Sequence, residues 1–148
     1  MKTILAAVDG SASSVKAVDF AADLAVKCEA ELILLTVATE VAPIFDAEFK
    51  AYARLEHIQA RASEIALASA ETVVADARIQ AQAKGVGRIS TEATFGDPAR
   101  RIIDFATDRH ADLLVVGSRG HGTLAGLLVG SVAQKVISHA ACPVVIVR

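Results

Sequence analysis

Five short runs of strand character recur along the chain: TILAAV (Thr3–Val8), ELILLTV (Glu31–Val37), RISTEATF (Arg88–Phe95), DLLVVG (Asp112–Gly117) and PVVIVR (Pro143–Arg148). Between them the apolar positions fall at helical spacing, and this alternation predicts an α/β protein built on a parallel sheet. The first, second and fourth runs are apolar at nearly every position, as strands covered on both faces are. The third alternates, with Ile89, Thr91, Ala93 and Phe95 opposed to Ser90, Glu92 and Thr94. The third therefore belongs at an edge and the other three in the middle. Right-handed crossovers then give a five-stranded sheet of order 3-2-1-4-5 with helices on both faces and a switch point between strands 1 and 4.

Helix starts are signalled by Ser11 to Ser14 before VKAVDFAADLAVK, by Asp97-Pro98 before ARRIIDFATDR, and by Ser131 before VAQKVISHA. Ser131 and Gln134 also fit a capping box. From Pro43 to Lys84 the chain is rich in alanine, with Phe45, Phe49, Tyr52, Ile58, Ile65 and Val73 near helical spacing and Gly85 as a stop. That pattern predicts one long helix rather than a separate domain.

Composition narrows the class. A chain of 148 residues is expected to form one domain, 1–148. Hydrophobic residues make up 53% of it, yet every wholly apolar run falls far short of the roughly 18 residues a membrane span needs, so a soluble protein is expected. The apolar stretch ILAAV is stopped by Asp9, too short for a signal-peptide core, and the two cysteines, Cys28 and Cys142, suit reduced thiols; both point to the cytoplasm. A net charge of −2 with no basic stripe argues against nucleic acid.

In an open parallel sheet, ligands bind beyond the carboxyl ends of the strands at the switch point. The loops there are DGSASS after strand 1 and GSRGHGTLAGLLVGS, Gly117 to Ser131, opening from the end of strand 4. Gly117, Gly120, Gly122, Gly126 and Gly130 let a ligand approach backbone N–H groups, and Ser131 opens the last helix, whose free N–H groups and dipole attract anions. A phosphate chain suits both features. No Walker loop is present, and the G-x-x-G-x-G of this stretch is the reverse of the dinucleotide G-x-G-x-x-G.

Gly117, Gly120, Gly130 and Ser131 spell G-x2-G-x9-G-S, which resembles the nucleotide-binding motif of the universal stress protein family. ILAAVDGS, ELILLTV, GDPARRIIDFA, ADLLVVGSRGHG, GSVAQKV and HAACPVVIVR resemble that family in the same order along the whole chain. The resemblance implies a Rossmann-like fold of the adenine nucleotide alpha hydrolase-like kind and a homodimer that binds ATP with Mg²⁺ or Mn²⁺. The implied role is a nucleotide-dependent sensor or switch in stress response. Carried over by position, Asp9 would meet the base or ribose, Ala7 and Val37 would line the adenine pocket, and Gly117, Gly120, Gly130, Ser131 and Val132 would hold ribose and phosphates. Arg119, His121 and Gly122 are further candidate phosphate contacts. Two positions depart from the family: Ala7 stands where some ATP binders have proline, and Thr36 where histidine is frequent.

Plainer roles compete for several of these residues. Asp9 and Ser11 can cap the first helix, and His139 with Cys142 has no second pair to complete a metal site. Asp104 and Asp108 lie on a solvated helix face. Ser118, Thr123 and Ser131 supply hydroxyls near a γ-phosphate, but no general base accompanies them, so turnover is expected to be weak or absent. A dimeric scaffold without nucleotide is the alternative of another class, and a flavin at the switch point is a third. The last strand, Val144, Val145, Ile146 and Val147, is apolar on both faces although it should lie at an edge. Antiparallel pairing with a second copy would cover it.

Overall fold

The computed structural model describes residues 1–39, 54–121 and 128–148, with backbone alone over 54–59. Strands β1 (Thr3–Ala7), β2 (Glu31–Ala38), β3 (Arg88–Phe95), β4 (Leu113–Gly117) and β5 (Val144–Val147) form one parallel sheet of order β3-β2-β1-β4-β5. Helices α1 (Ala12–Cys28), α2 (Arg54–Ala83), α3 (Pro98–Asp108) and α4 (Ser131–His139) connect them. The order is the one the hydrophobic pattern predicts, with the alternating strand β3 at an edge.

Period-two alternation divides the core. Ile4, Ala6, Leu32, Leu34, Leu113 and Val115 point to one face, where α1 brings Ala17, Val18, Ala21 and Ala22 and α2 brings Val74, Ala77 and Ala81. Leu5, Ile33, Leu35, Leu114 and Val116 point to the other, covered by Ala99, Ile102 and Ala106 of α3 and Ala133 and Val136 of α4. Each fully buried leucine or isoleucine contributes about 1.5–3 kcal/mol against solvent exposure, which is why the central strands are apolar on consecutive residues. No described helix is long and apolar enough to cross a membrane.

Two helices start as their capping residues predict. Ser11 Oγ accepts the Ser14 N–H at 3.3 Å to open α1, and Asp97 accepts the Arg100 N–H at 3.0 Å to open α3 with Pro98 in the first turn. The start of α4 differs from the capping box expected of it. Gly130 is the N-cap, Ser131 is already the first helical residue, and among the described residues no side chain caps the helix. The Gln134 amide donates to the Val129 carbonyl at 3.3 Å instead of reaching back to close a box. The cause lies one residue upstream, where the Gly130 N–H donates to the Ser118 carbonyl at 2.6 Å and pins the chain beside the end of β4.

The long helix is present over Arg54–Ala83 and ends before Gly85, whose φ of +89° suits a residue without Cβ. Its buried face is not the one the large side chains suggest. Ala70, Val74, Ala77 and Ala81 are buried, Val73 is half-buried, and Ile65 is 70% exposed. Alanine lets the helix lie close to the sheet, so the small residues mark the contact. Phe45, Phe49, Tyr52 and the Ile58 side chain lie outside the described residues. Gln80 Nε2 donates to Val15 O and Asp19 Oδ1, both at 2.9 Å, and ties α2 to α1.

Cys142, just before β5, is half-buried beside the α4 layer, and partial burial pushes its thiol pKa up.

Candidate functional site

Where β1 ends, the chain turns through Asp9 and Gly10, the latter at φ +80°. Ser14, buried at the start of α1, accepts the N–H groups of Gly10 at 3.1 Å and Asp9 at 3.4 Å. Asp9 Oδ1 accepts the Ser11 N–H at 2.9 Å. These bonds hold the turn, with Ser11 capping α1 and Asp9 tightening the turn that leads into it.

The stretch after β4 runs against this turn. A Cβ on Gly117 would lie 2.5 Å from Ser13 Oγ, 2.8 Å from the Ser13 carbonyl carbon and 2.9 Å from the Ser14 nitrogen, so α1 can approach β4 only over glycine. A Cβ on Gly120 would lie 2.8 Å from Asp9 Oδ2. Ser11 Oγ donates to the Arg119 carbonyl at 3.2 Å; Ser13 Oγ donates to the same oxygen and accepts the Arg119 N–H at 3.3 Å. His121 Nε2 lies 2.6 Å from the Asp9 carbonyl, and because a carbonyl only accepts, Nε2 carries the proton. The two loops at the switch point are thus bound to each other along one side.

On the other side they leave a cleft of about 700 Å³ at the carboxyl ends of β1, β2 and β4. Ala7, Asp9, Val37, Gly117, Gly120, Gly130, Ser131 and Val132 all line it, as do Arg119 and His121. The structure thereby brings together the described residues named from the sequence as candidate nucleotide and phosphate contacts. Gly122, Thr123 and Gly126 lie outside the described residues. Arg119 contributes its backbone to the contact between loops and leaves its side chain exposed, while the His121 ring is committed to Asp9. At one end of the cleft the first N–H groups of α4, from Ser131, Val132 and Ala133, meet no acceptor among the described residues.

Two parts of the wall escape a reading of loops and motifs. Ala66, Ser69, Ala70 and Val73 of α2 close one side, and Pro98 and Ile102 of α3 another. Thr36, near the end of β2, also lines the cleft; it is 5% exposed and its Oγ1 has no hydrogen-bond partner among the described residues. In the sequence it shows as a polar residue inside the apolar run ELILLTV, at a position where the resemblance to the family breaks.

With the cleft at the switch point in place, the comparisons acquire a structural meaning. The model of the universal stress protein family matches residues 1–148. The chain belongs to that family. Universal stress protein YxiE of Bacillus subtilis is 34% identical over 145 residues, 98% of this chain and 97% of the relative. Universal stress protein UspA from Lactobacillus plantarum superposes with a TM-score of 0.86 at 25% identity, over 99% of this chain and 97% of that one. A universal stress protein solved in complex with cAMP superposes with a TM-score of 0.71 at 31% identity, over 99% of this chain and 96% of that one. Universal stress proteins thus share this Rossmann-like sheet and its strand order at full length.

Proposed function

We propose that this universal stress protein binds an adenine nucleotide, ATP with Mg²⁺ or Mn²⁺ on its phosphates, in the cleft at the switch point. The observation that carries the reading is the uncapped start of α4. Its N–H groups open on a cleft large enough for a nucleotide, whereas Ser11 and Asp97 cap the starts of α1 and α3. A helix start of this kind attracts an anion through free N–H groups and its dipole. Ser131, as the first helical residue, keeps its hydroxyl clear of capping and available to a phosphate oxygen. The relative in complex with cAMP supports an adenine nucleotide as the ligand class. Ala7, Val37 and Asp9 would form the end that takes base and ribose, and Gly117, Gly120, Gly130, Ser131 and Val132 the end that takes ribose and phosphates. Among the described residues no cluster of three His, Cys, Asp or Glu stands ready to hold a metal alone, so the divalent ion would come with the phosphates.

The nucleotide would act as a signal more than as a substrate. Turnover is expected to be weak or absent, and a ligand shifts a loop equilibrium only by its different affinity for the two states. In this reading the protein is a cytoplasmic homodimer, paired through Val144–Val147, whose surface changes with the nucleotide. β5 lies at a sheet edge with all four residues half-buried, which supports the pairing.

Isothermal titration with ATP and Mg²⁺ tests the reading, with Gly130→Lys as control. Gly130 has φ −72°, which any residue adopts, so the lysine is expected to fold and to fill the phosphate end. Wild-type binding on the order of 10 μM, about −7 kcal/mol, with loss in the variant supports the cradle. A wild type that binds no adenine nucleotide leaves the dimeric scaffold in its place.

A further inference from the structure

Thr36 follows Leu35, which pairs with Ala7 of β1 and lends its carbonyl to the Val8 N–H. Its side chain falls on the face of Leu32 and Leu34, toward α1 and α2, opposite to Val37. There the cleft extends under α2, where Ala66, Ala70 and Val73 form an apolar roof. Thr36 lines that lobe at 5% exposure, and its buried hydroxyl has no hydrogen-bond partner among the described residues. A buried hydroxyl without a hydrogen bond is costly, and native structures seldom leave one unpaired unless a ligand or water completes it.

The span fits a nucleotide. Gly130 sits beside Ser118 at the end of β4, and β1 separates β4 from β2. Two interstrand spacings, about 10 Å, therefore lie between the α4 start and Thr36. A ligand with phosphates at α4 would place its far end at the end of β2, between Ala66, Ala70 and Val73 of α2, with Ser69 beside them, and the Thr36 side chain. That is a surface for a heterocycle: apolar on its face and polar at its edge. A hydroxyl both donates and accepts, so it can meet a ring nitrogen or an exocyclic amino group.

Resting on the nucleotide reading above, we propose that Thr36 Oγ1 hydrogen-bonds the polar edge of the bound base, which makes Thr36 a specificity-determining residue of the cleft. The unpaired hydroxyl is a cost carried by the empty protein and recovered on binding. Removing it should therefore move stability and affinity in opposite directions.

The test is titration of ATP with Mg²⁺ into wild type, Thr36→Val, Thr36→Ser and Thr36→Ala, with melting of each free protein. Thr36→Val keeps the shape and loses the hydroxyl. It is expected to melt at or above the wild-type temperature and to bind ATP about five- to tenfold more weakly, the worth of one net hydrogen bond. Thr36→Ser restores the hydroxyl and is expected to bind within about threefold of wild type. Should Thr36→Val misfold, Thr36→Ala against Thr36→Ser carries the same comparison. Equal affinity of the hydroxyl-free and hydroxyl-bearing variants overturns the inference and assigns the hydroxyl to a water. Weakening of Thr36→Ser as large as that of Thr36→Val also overturns it, since shape rather than the hydroxyl would then matter. A wild type that binds no adenine nucleotide overturns the nucleotide reading itself, and this inference with it.

Discussion

Gly117 and Thr36 mark the limits of what single residues disclose. The sequence presents Gly117 as a place where a ligand meets bare backbone, and it does line the cleft, but the nearer cause is the backbone of Ser13 and Ser14 under 3 Å from where a Cβ would stand. Helix backbone cannot yield as a side-chain tip can. Gly117→Ala is accordingly expected to cost about 2 kcal/mol, within the usual range for overpacking, and denaturant unfolding would register it as a lower midpoint. Among the described residues Gly120→Ala meets the Asp9 carboxylate, a side-chain end, and should cost less than half as much. A midpoint drop for Gly117→Ala no larger than that for Gly120→Ala would contradict this account of the glycine. Thr36 is the converse case. One threonine in an apolar run is ordinary, and only the packed surroundings reveal that its hydroxyl lacks a partner.

At the scale of elements, strands were legible and helix faces less so. Strands β1, β2 and β4 bury both faces, so their apolar runs are continuous and hard to misplace. For α2 the contact face is made of alanines, and Ile65 and Ile79 point to solvent, so hydrophobicity by size selects the wrong stripe. The capping pattern at Ser131 misled for a related reason, because the hydrogen bond from Gly130 to Ser118 is long-range and leaves no local signature. The first strand is also tied to β4 at its start, where the Asp112 carboxylate accepts the Lys2 N–H at 2.7 Å and the Thr3 N–H at 2.9 Å. These bonds favour the ionised form and hold its pKa below the ordinary 3.8. A depressed folded pKa gives stability that is present above the ordinary value and lost as pH falls through the folded one. The melting temperatures of wild type and Asp112→Ala should therefore differ near neutrality and converge only as pH falls below the ordinary 3.8 and through the depressed folded value. A constant gap over that range would assign the effect of Asp112 to something other than its charge.

For the whole molecule, the sheet order followed from the apolar pattern and right-handed crossovers, and the place of the candidate cleft from the rule that puts ligands at the switch point. Assembly is harder to read, since one chain displays only its edges. In β5 the Pro143 and Val147 carbonyls accept from Leu114 and Ser118, so by alternation the N–H of Ile146 faces away from β4. Ile146→Pro removes that outward donor while leaving the ladder to β4 its own bonds. The proposed pairing predicts that sedimentation equilibrium gives twice 15.4 kDa for wild type and a single chain mass for Ile146→Pro. A variant that remains dimeric would place the interface elsewhere.

The central claim is that one cleft holds one nucleotide from the start of α4 to the end of β2. Amide chemical shifts followed by NMR during titration with ATP and Mg²⁺ address it most directly. The account predicts that Ser131, Val132 and Ala133 shift together with Thr36 and Val37 along a single saturation curve, while the amides of Arg78 and Arg88 at the opposite end of the sheet stay still. Shifts confined to one end of the cleft, or centred outside it, would contradict that claim.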